Sequence, residues 1–185
     1  MKVTKYPIKG LLKFNPQIFK DNRGYFFESY NYDRYKKYIK EKFVQDDHSF
    51  SKKNVLRGIH FQYKKPQGQL FYLITGKIFL VAVDFRLNSK TFLKHKKFIL
   101  KSDGHEQIYT PPGVGCGFYS LENNNHLVYK ITKTYKPGNE IGVIWNDNIL
   151  NIKWPCKKPI ISDKDKCYSK IKNISFNKFK DLKNI

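Results

Sequence analysis

Apolar residues along the chain gather in short runs divided by turn signals. Gln69–Thr75 (QLFYLIT) stops at Gly76, and Lys77–Phe85 (KIFLVAVDF) follows at once. Further runs occupy residues 96–100, 106–110, 117–121, 126–132 and 142–145. They are rich in β-branched and aromatic residues and recur roughly every 10–15 residues, which predicts an antiparallel sandwich or barrel rather than βαβ units. Helical spacing occurs once, over Tyr32 to Phe43, where Tyr35, Tyr38, Ile39 and Phe43 fall on one face. The Lys- and Asn-rich stretch from about Lys166 reads as a peripheral helix or a poorly ordered tail. No internal repeat or linker divides the chain, so one all-β domain over residues 1–185 is expected.

Composition supports a packed core. Aromatic residues make up 16% of the 185, with 13 Tyr and 15 Phe, which excludes a disordered chain. No apolar run reaches the roughly 18 residues that span a bilayer, and the N-terminus carries no signal-peptide stretch. A soluble, cytoplasmic protein is expected. The 36 Lys+Arg against 15 Asp+Glu give a net charge of +21, which first suggests a nucleic-acid binder. Only four of those cations are Arg (Arg23, Arg34, Arg57, Arg86), and the lysines are spread along the whole chain. Readers of nucleic acid lean on the bidentate Arg fork, so a solvated basic surface fits better and no nucleic-acid partner is expected. Three cysteines (Cys116, Cys156, Cys167) form no CxxC pair, which argues against a disulfide framework or a structural zinc.

Two segments carry candidate chemistry. Val55–Gln62 (VLRGIHFQ) holds Arg57 and His60 three residues apart. Strand alternation puts them on opposite faces unless Gly58 marks a bulge. Pro111–Phe118 (PPGVGCGF) is turn-rich and reads as a loop that breaks the strand ladder. No His-x-His pair is present, which argues against the metal site of metal-binding cupins.

In order and spacing these segments resemble the dTDP-4-dehydrorhamnose 3,5-epimerase family. The resemblance begins at Asp21-Asn-Arg-Gly-Tyr-Phe-Phe-Glu28 and continues through Val44-Gln45, Val55–Gln62 and Val83-Asp-Phe-Arg86 with Ser89 and Thr91. It then takes in Pro112-Gly113, Gly117-Phe118, Val128-Tyr-Lys130, Tyr135, Trp145-Asn-Asp147, Ile152-Lys-Trp-Pro155 and Ser162-Asp-Lys-Asp165. It covers about residues 8–165. Each fragment is weak alone; the ordered series is specific.

The resemblance implies a double-stranded β-helix, the cupin jelly roll, in a homodimer that exchanges N-terminal strands (an arm of about residues 1–30). It implies no metal or organic cofactor and no membrane. The implied substrate is a nucleotide-diphosphate-linked 4-keto-6-deoxy sugar, inverted at carbon 3, carbon 5 or both through an enolate. By the matching motifs His60 is the base and Asp165 its carboxylate partner, with Asp163 left open as the alternative. Tyr129 is the acid on the opposite face. Arg57 is implied to meet phosphate or sugar oxygens, and Arg23 to meet the diphosphate from the neighbouring subunit. Phe26 and Tyr135 pack against sugar or base, and Glu28 and Gln45 bond the base.

Three positions depart from the family's pattern. Gln69 stands where it has Lys, Leu80 where it has Asp, and Cys116 where it has His. Losing Lys and Asp together is coherent, because a buried carboxylate without its cation would be costly. Two readings follow: an epimerase with a re-tuned pocket, or a nucleotide-sugar-binding cupin that has lost its activity.

Overall fold

The computed structural model describes residues 1–176, 179–183 and 185. Two antiparallel sheets face each other. The first runs β1 (Lys2–Lys5), β2 (Leu12–Asn15), β10 (Gln107–Thr110), β7 (Gln69–Thr75), β12 (Asn125–Ile131), β5 (Gln45–Ser51). The second runs β13 (Glu140–Gly142), β6 (Leu56–Gln62), β11 (Val114–Ser120), β8 (Lys77–Asp84), β9 (His95–Lys101). A separate hairpin of β3 (Phe19–Asp21) and β4 (Gly24–Phe26) stands off both sheets. The all-β prediction holds, and the architecture is the cupin jelly roll of the structural relatives described below.

Side-chain alternation builds three apolar layers. Between the sheets lie Phe71, Leu80, Phe98, Ile108, Phe118 and Leu127. Outside the second sheet, Ile59, Phe61, Val81 and Phe85 are covered by Leu150, Ile152, Ile171, Phe176, Phe179 and Leu182. Among the described residues, the tail beyond Lys166 is therefore a packed cover made of short turns, not one helix. The Asp147 carboxylate fastens it, accepting the N–H groups of Ile149 (2.8 Å), Leu150 (3.1 Å) and Ile171 (2.9 Å). Outside the first sheet, Tyr35 and Ile39 pack on Phe14, Leu70 and Tyr109.

The predicted helix over 32–43 is cut to α1 (Tyr32–Tyr35), followed by turns. Burying Tyr35 and Ile39 needs a single turn, closed by the Ile39 N–H donating to the Tyr35 carbonyl at 2.9 Å. Phe43 then packs against Tyr30 and Tyr109.

The turn-rich reading of Pro111–Phe118 is corrected. From Val114 the chain is a seven-residue strand paired on both sides, to β6 and β8. Its glycines answer to packing: a Cβ on Gly115 would lie 2.6 Å from the Phe85 ring, and one on Gly117 3.0 Å from Ile59 Cγ1. Two of the four outermost strands, β1 and β9, carry exposed lysines, Lys2 and Lys5 on one, Lys96, Lys97 and Lys101 on the other.

Candidate active site

The site grows from an irregularity in β6. Gly58 pairs with Gly117 and His60 with Cys116, so Ile59 is an extra residue on the β6 side. This bulge breaks the alternation and lets Arg57 and His60 line the same cavity. Gly58 has φ +84°, and a Cβ there would collide with the Cys116 carbonyl; glycine is the residue that fits.

The cavity, about 330 Å³, lies between the sheets. The first sheet contributes Gln45, Gln69 and Tyr129; the second contributes Arg57, His60 and Cys116. Helix α2 (Asp163–Lys166) closes one side. Ser162 caps it by accepting the Asp165 N–H at 3.1 Å. That turn sends Asp163 into solvent, paired with Lys166 at 2.8 Å, and Asp165 into the cavity at 5% exposure. Asp165 Oδ2 accepts the Gly58 N–H at 3.1 Å.

The carboxylate closest to the imidazole differs from the expectation. Glu140 Oε2 stands 3.5 Å from His60 Nδ1, while Asp165 acts on the ring by charge and spends its hydrogen bond on the Gly58 backbone. The physical reason is the register of β13, which sets Gly142 against His60 and Glu140 against Gln62, so Glu140 reaches in from the neighbouring strand. Glu140 also accepts from the Tyr168 hydroxyl at 2.7 Å and pairs with Lys164.

Burial, the largest effect, pushes the His60 pKa below its ordinary value. Glu140 and Asp165 pull it back up, and Lys164 and Arg57 push it down. The ring is therefore neutral at neutral pH and able to accept a proton. Burial likewise opposes ionisation of Glu140, but His60, Lys164 and Tyr168 outweigh it and hold the carboxyl below its usual range. Tyr129 packs at a tilt against Phe71 with ring centroids 5.4 Å apart. Burial, helped by Asp47, raises its phenol pKa, so it keeps a proton to give.

The three departures are neutral here. Gln69 Nε2 donates to Gln67 Oε1 at 3.3 Å. Cys116 is buried, which pushes its thiol up to about 12, and its S–H faces Thr110 Oγ1 at 3.5 Å. Leu80 is fully buried.

Arg57 is braced by Ser51 Oγ (3.0 Å) and the Phe50 carbonyl (2.9 Å). Gln45 bonds Asp47 Oδ1 at 2.8 Å and accepts the Tyr135 N–H at 3.1 Å, so its amide holds the lip that carries Tyr135. Of the expected site residues, Gln45, Arg57, His60, Gln69, Cys116, Tyr129, Tyr135 and Asp165 share the cavity. Arg23, Phe26 and Glu28 do not line it. Arg23 is on the exposed hairpin, tied to Asp21 at 2.6 Å, Phe26 is 67% exposed, and Glu28 pairs with Arg34 at 2.8 Å. Sequence reasoning missed Gln62, Gln67, Glu140 and Lys164. Lys164 sat inside the matched Ser162–Asp165 run and Gln62 inside Val55–Gln62; Glu140 and Gln67 carried no signal of their own.

Among the described residues no group of three or more His, Cys, Asp or Glu is placed to hold a metal, and no helix is long and apolar enough to cross a membrane. A neutral histidine and a protonated phenol open from opposite sheets of a jelly roll into one cavity, an arrangement suited to acid–base chemistry. A family model described as dTDP-4-dehydrorhamnose 3,5-epimerase matches residues 5–173. The chain is 42% identical over 169 residues to the dTDP-4-dehydrorhamnose 3,5-epimerase of Salmonella typhimurium, covering 89% of this chain and 92% of that one. It is 40% identical over 168 residues to the enzyme of that name from Shigella flexneri, covering 89% and 93%. A crystal structure of a dTDP-6-deoxy-D-glucose-3,5-epimerase from Legionella pneumophila, in complex with dTDP-4-keto-L-rhamnose, superposes with a TM-score of 0.91 at 36% identity, covering 95% of each chain. The chain belongs to the dTDP-4-dehydrorhamnose 3,5-epimerase family and is a nucleotide-sugar epimerase, an isomerase. Nothing in these likenesses supports the inactive alternative.

Proposed function

We propose that His60 and Tyr129 carry out the epimerisation of a dTDP-linked 4-keto-6-deoxy sugar at carbon 3, carbon 5 or both. The 4-ketone acidifies the hydrogens on its neighbouring carbons. His60 takes one of them, and the electron pair of the broken C–H bond moves into an enolate. Tyr129 returns a proton to the same carbon from the opposite face, and solvent resets both groups. The step is redox-neutral. The observation that carries this is the emergence of His60 and Tyr129 from different sheets into one cavity.

Glu140 and Asp165 hold the imidazole, Gln69 gives the enolate oxygen a neutral hydrogen bond, and Arg57 meets phosphate or sugar oxygens with its free N–H groups. The choice of dTDP is supported by the complex of the Legionella relative. Arg23, Phe26 and Glu28 serve the nucleotide of a second copy in a homodimer that exchanges N-terminal strands; the exposed aromatic hairpin, with Phe19, Tyr25 and Phe26 all more than half exposed, supports this. The protein works in the cytoplasm, supplying deoxysugars for polysaccharides.

Incubation with dTDP-4-keto-6-deoxyglucose in heavy water tests the reading. Deuterium should appear at carbon 3, carbon 5 or both, and GDP-, CDP- and UDP-linked sugars run alongside fix the nucleotide. Substituting His60→Asn should abolish uptake in a folded protein, a loss of about 10³-fold or more, within the range of acid–base catalysis. Undiminished exchange in that variant would refute the assignment.

A further inference from the structure

Gln62 closes β6 two residues beyond His60, about 7 Å along the strand and on the same side. It is 3% exposed and lines the cavity. Its Oε1 accepts the Lys136 N–H at 2.8 Å. That bond fixes the amide's orientation, since the flipped amide would set its NH₂ against another donor. The Nε2 end is buried, and no acceptor among the described residues meets it. Buried donors in folded proteins are nearly always paired.

The surroundings say what kind of acceptor fits. Glu140 sits directly across the strand pair from Gln62, and the nearby Lys164 is engaged by that carboxylate. A phosphate oxygen here would face a carboxylate with no free cation beside it. A hydroxyl oxygen accepts from Nε2 and can donate its own proton onward to a carboxylate.

We propose that Gln62 is a specificity-determining residue whose free amide N–H donates to a hydroxyl oxygen of the substrate sugar, so that the pocket selects for that hydroxyl. This rests on the nucleotide-sugar reading above. A site built around a substrate hydroxyl rejects the analogue lacking it far more strongly than an apolar pocket does, because its own polar group is left unpaired.

The test compares dissociation constants of wild type, Gln62→Met and Gln62→Glu for dTDP, dTDP-6-deoxyglucose, and its 2-deoxy and 3-deoxy forms. The Met variant keeps the volume without the donor. The Glu variant, assayed at pH 8, removes the donor and keeps an acceptor for Lys136, so a lost fold in one leaves the other. Wild type should prefer the full sugar to one deoxy form by roughly tenfold or more. In both variants that preference should collapse to about twofold or less, with dTDP binding unchanged. A preference that survives in both variants, or a loss on dTDP equal to that on the sugar, overturns the proposal. If wild type fails to bind dTDP at all, the nucleotide-sugar reading falls and takes this inference with it.

Discussion

Replacing Glu140 by Gln isolates the charge that sets the pH range in which His60 works. The carboxylate lies 3.5 Å from Nδ1 and raises the imidazole pKa against the burial that lowers it. Unit charges about 4 Å apart interact by about 4 kcal/mol at an effective dielectric of about 20, and by about 1 kcal/mol in water. The His60 side chain keeps 34% of its surface exposed, so the value lies toward the watery limit, about 1.4 kcal/mol or about one pKa unit. The folded pKa already sits below the ordinary value, and removing Glu140 withdraws a raising influence. It falls further, and the neutral base persists to lower pH. The acid limb of kcat/KM, which reports the free enzyme, should move down by about one unit. The plateau should also fall, by about tenfold, because Nδ1 loses the carboxylate that orients it. Asp165→Asn should move the limb the same way by less, since Asp165 ranks behind Glu140 among the influences on the ring. Initial rates of deuterium uptake between about pH 4.5 and pH 8 measure both quantities. A limb that stays in place or moves upward in Glu140→Gln would refute the electrostatic reasoning.

Three further outcomes are expected. Tyr129→Phe should lose epimerised product by about 100-fold while exchange at the first carbon attacked falls less; nuclear magnetic resonance of the sugar reads both, and equal loss would mean a binding role. Leu80→Asp should lower stability by about 3–5 kcal/mol, through lost packing and a buried carboxyl, and Tm by about 10 °C or more; a melting curve within about 2 °C of wild type would contradict the burial of that side chain. Asp165→Asn should slow exchange, whereas Asp163→Asn should leave it unchanged, because Asp163 faces solvent and pairs with Lys166; the reverse order in a rate assay would mean that the wrong carboxylate faces the substrate.

What the sequence made legible follows the physics of each segment. β7 and β8 announced themselves because both are buried enough to need unbroken apolar runs, with Gly76 between them. β5 stayed hidden: as an outermost strand it alternates half-buried with exposed positions, so Gln-Asp-Asp-His-Ser-Phe-Ser reads as polar loop. β11 was misread because its glycines, which look like turn residues, are spaces left for Phe85 and Ile59. In the site, the motif matches led to eight residues of one cavity. The bulge at Ile59 was foreseeable from Gly58, and the pairing with Gly117 supplies it. Glu140 was out of reach, because its approach to a histidine 80 positions earlier depends on the register of a three-residue strand. Arg23 and Phe26 matched as motif but sit on a hairpin that does not line the cavity.

The lysines on the outermost strands bear on how copies of this protein behave toward one another. β1 and β9 each leave one side of their backbone unpaired, a template on which another chain could add a strand. Lys2, Lys5, Lys96, Lys97 and Lys101 line those borders and repel a second copy arriving edge-on, on top of a whole-molecule charge of +21. That deterrent reaches about 8 Å at physiological salt and about 3 Å at 1 M. Concentrated salt therefore drives the protein toward association, whereas it drives a nucleic-acid binder toward release. The lysines thus guard two of the four sheet borders, while the other two, β5 and β13, carry Asp46, Asp47 and Glu140 instead.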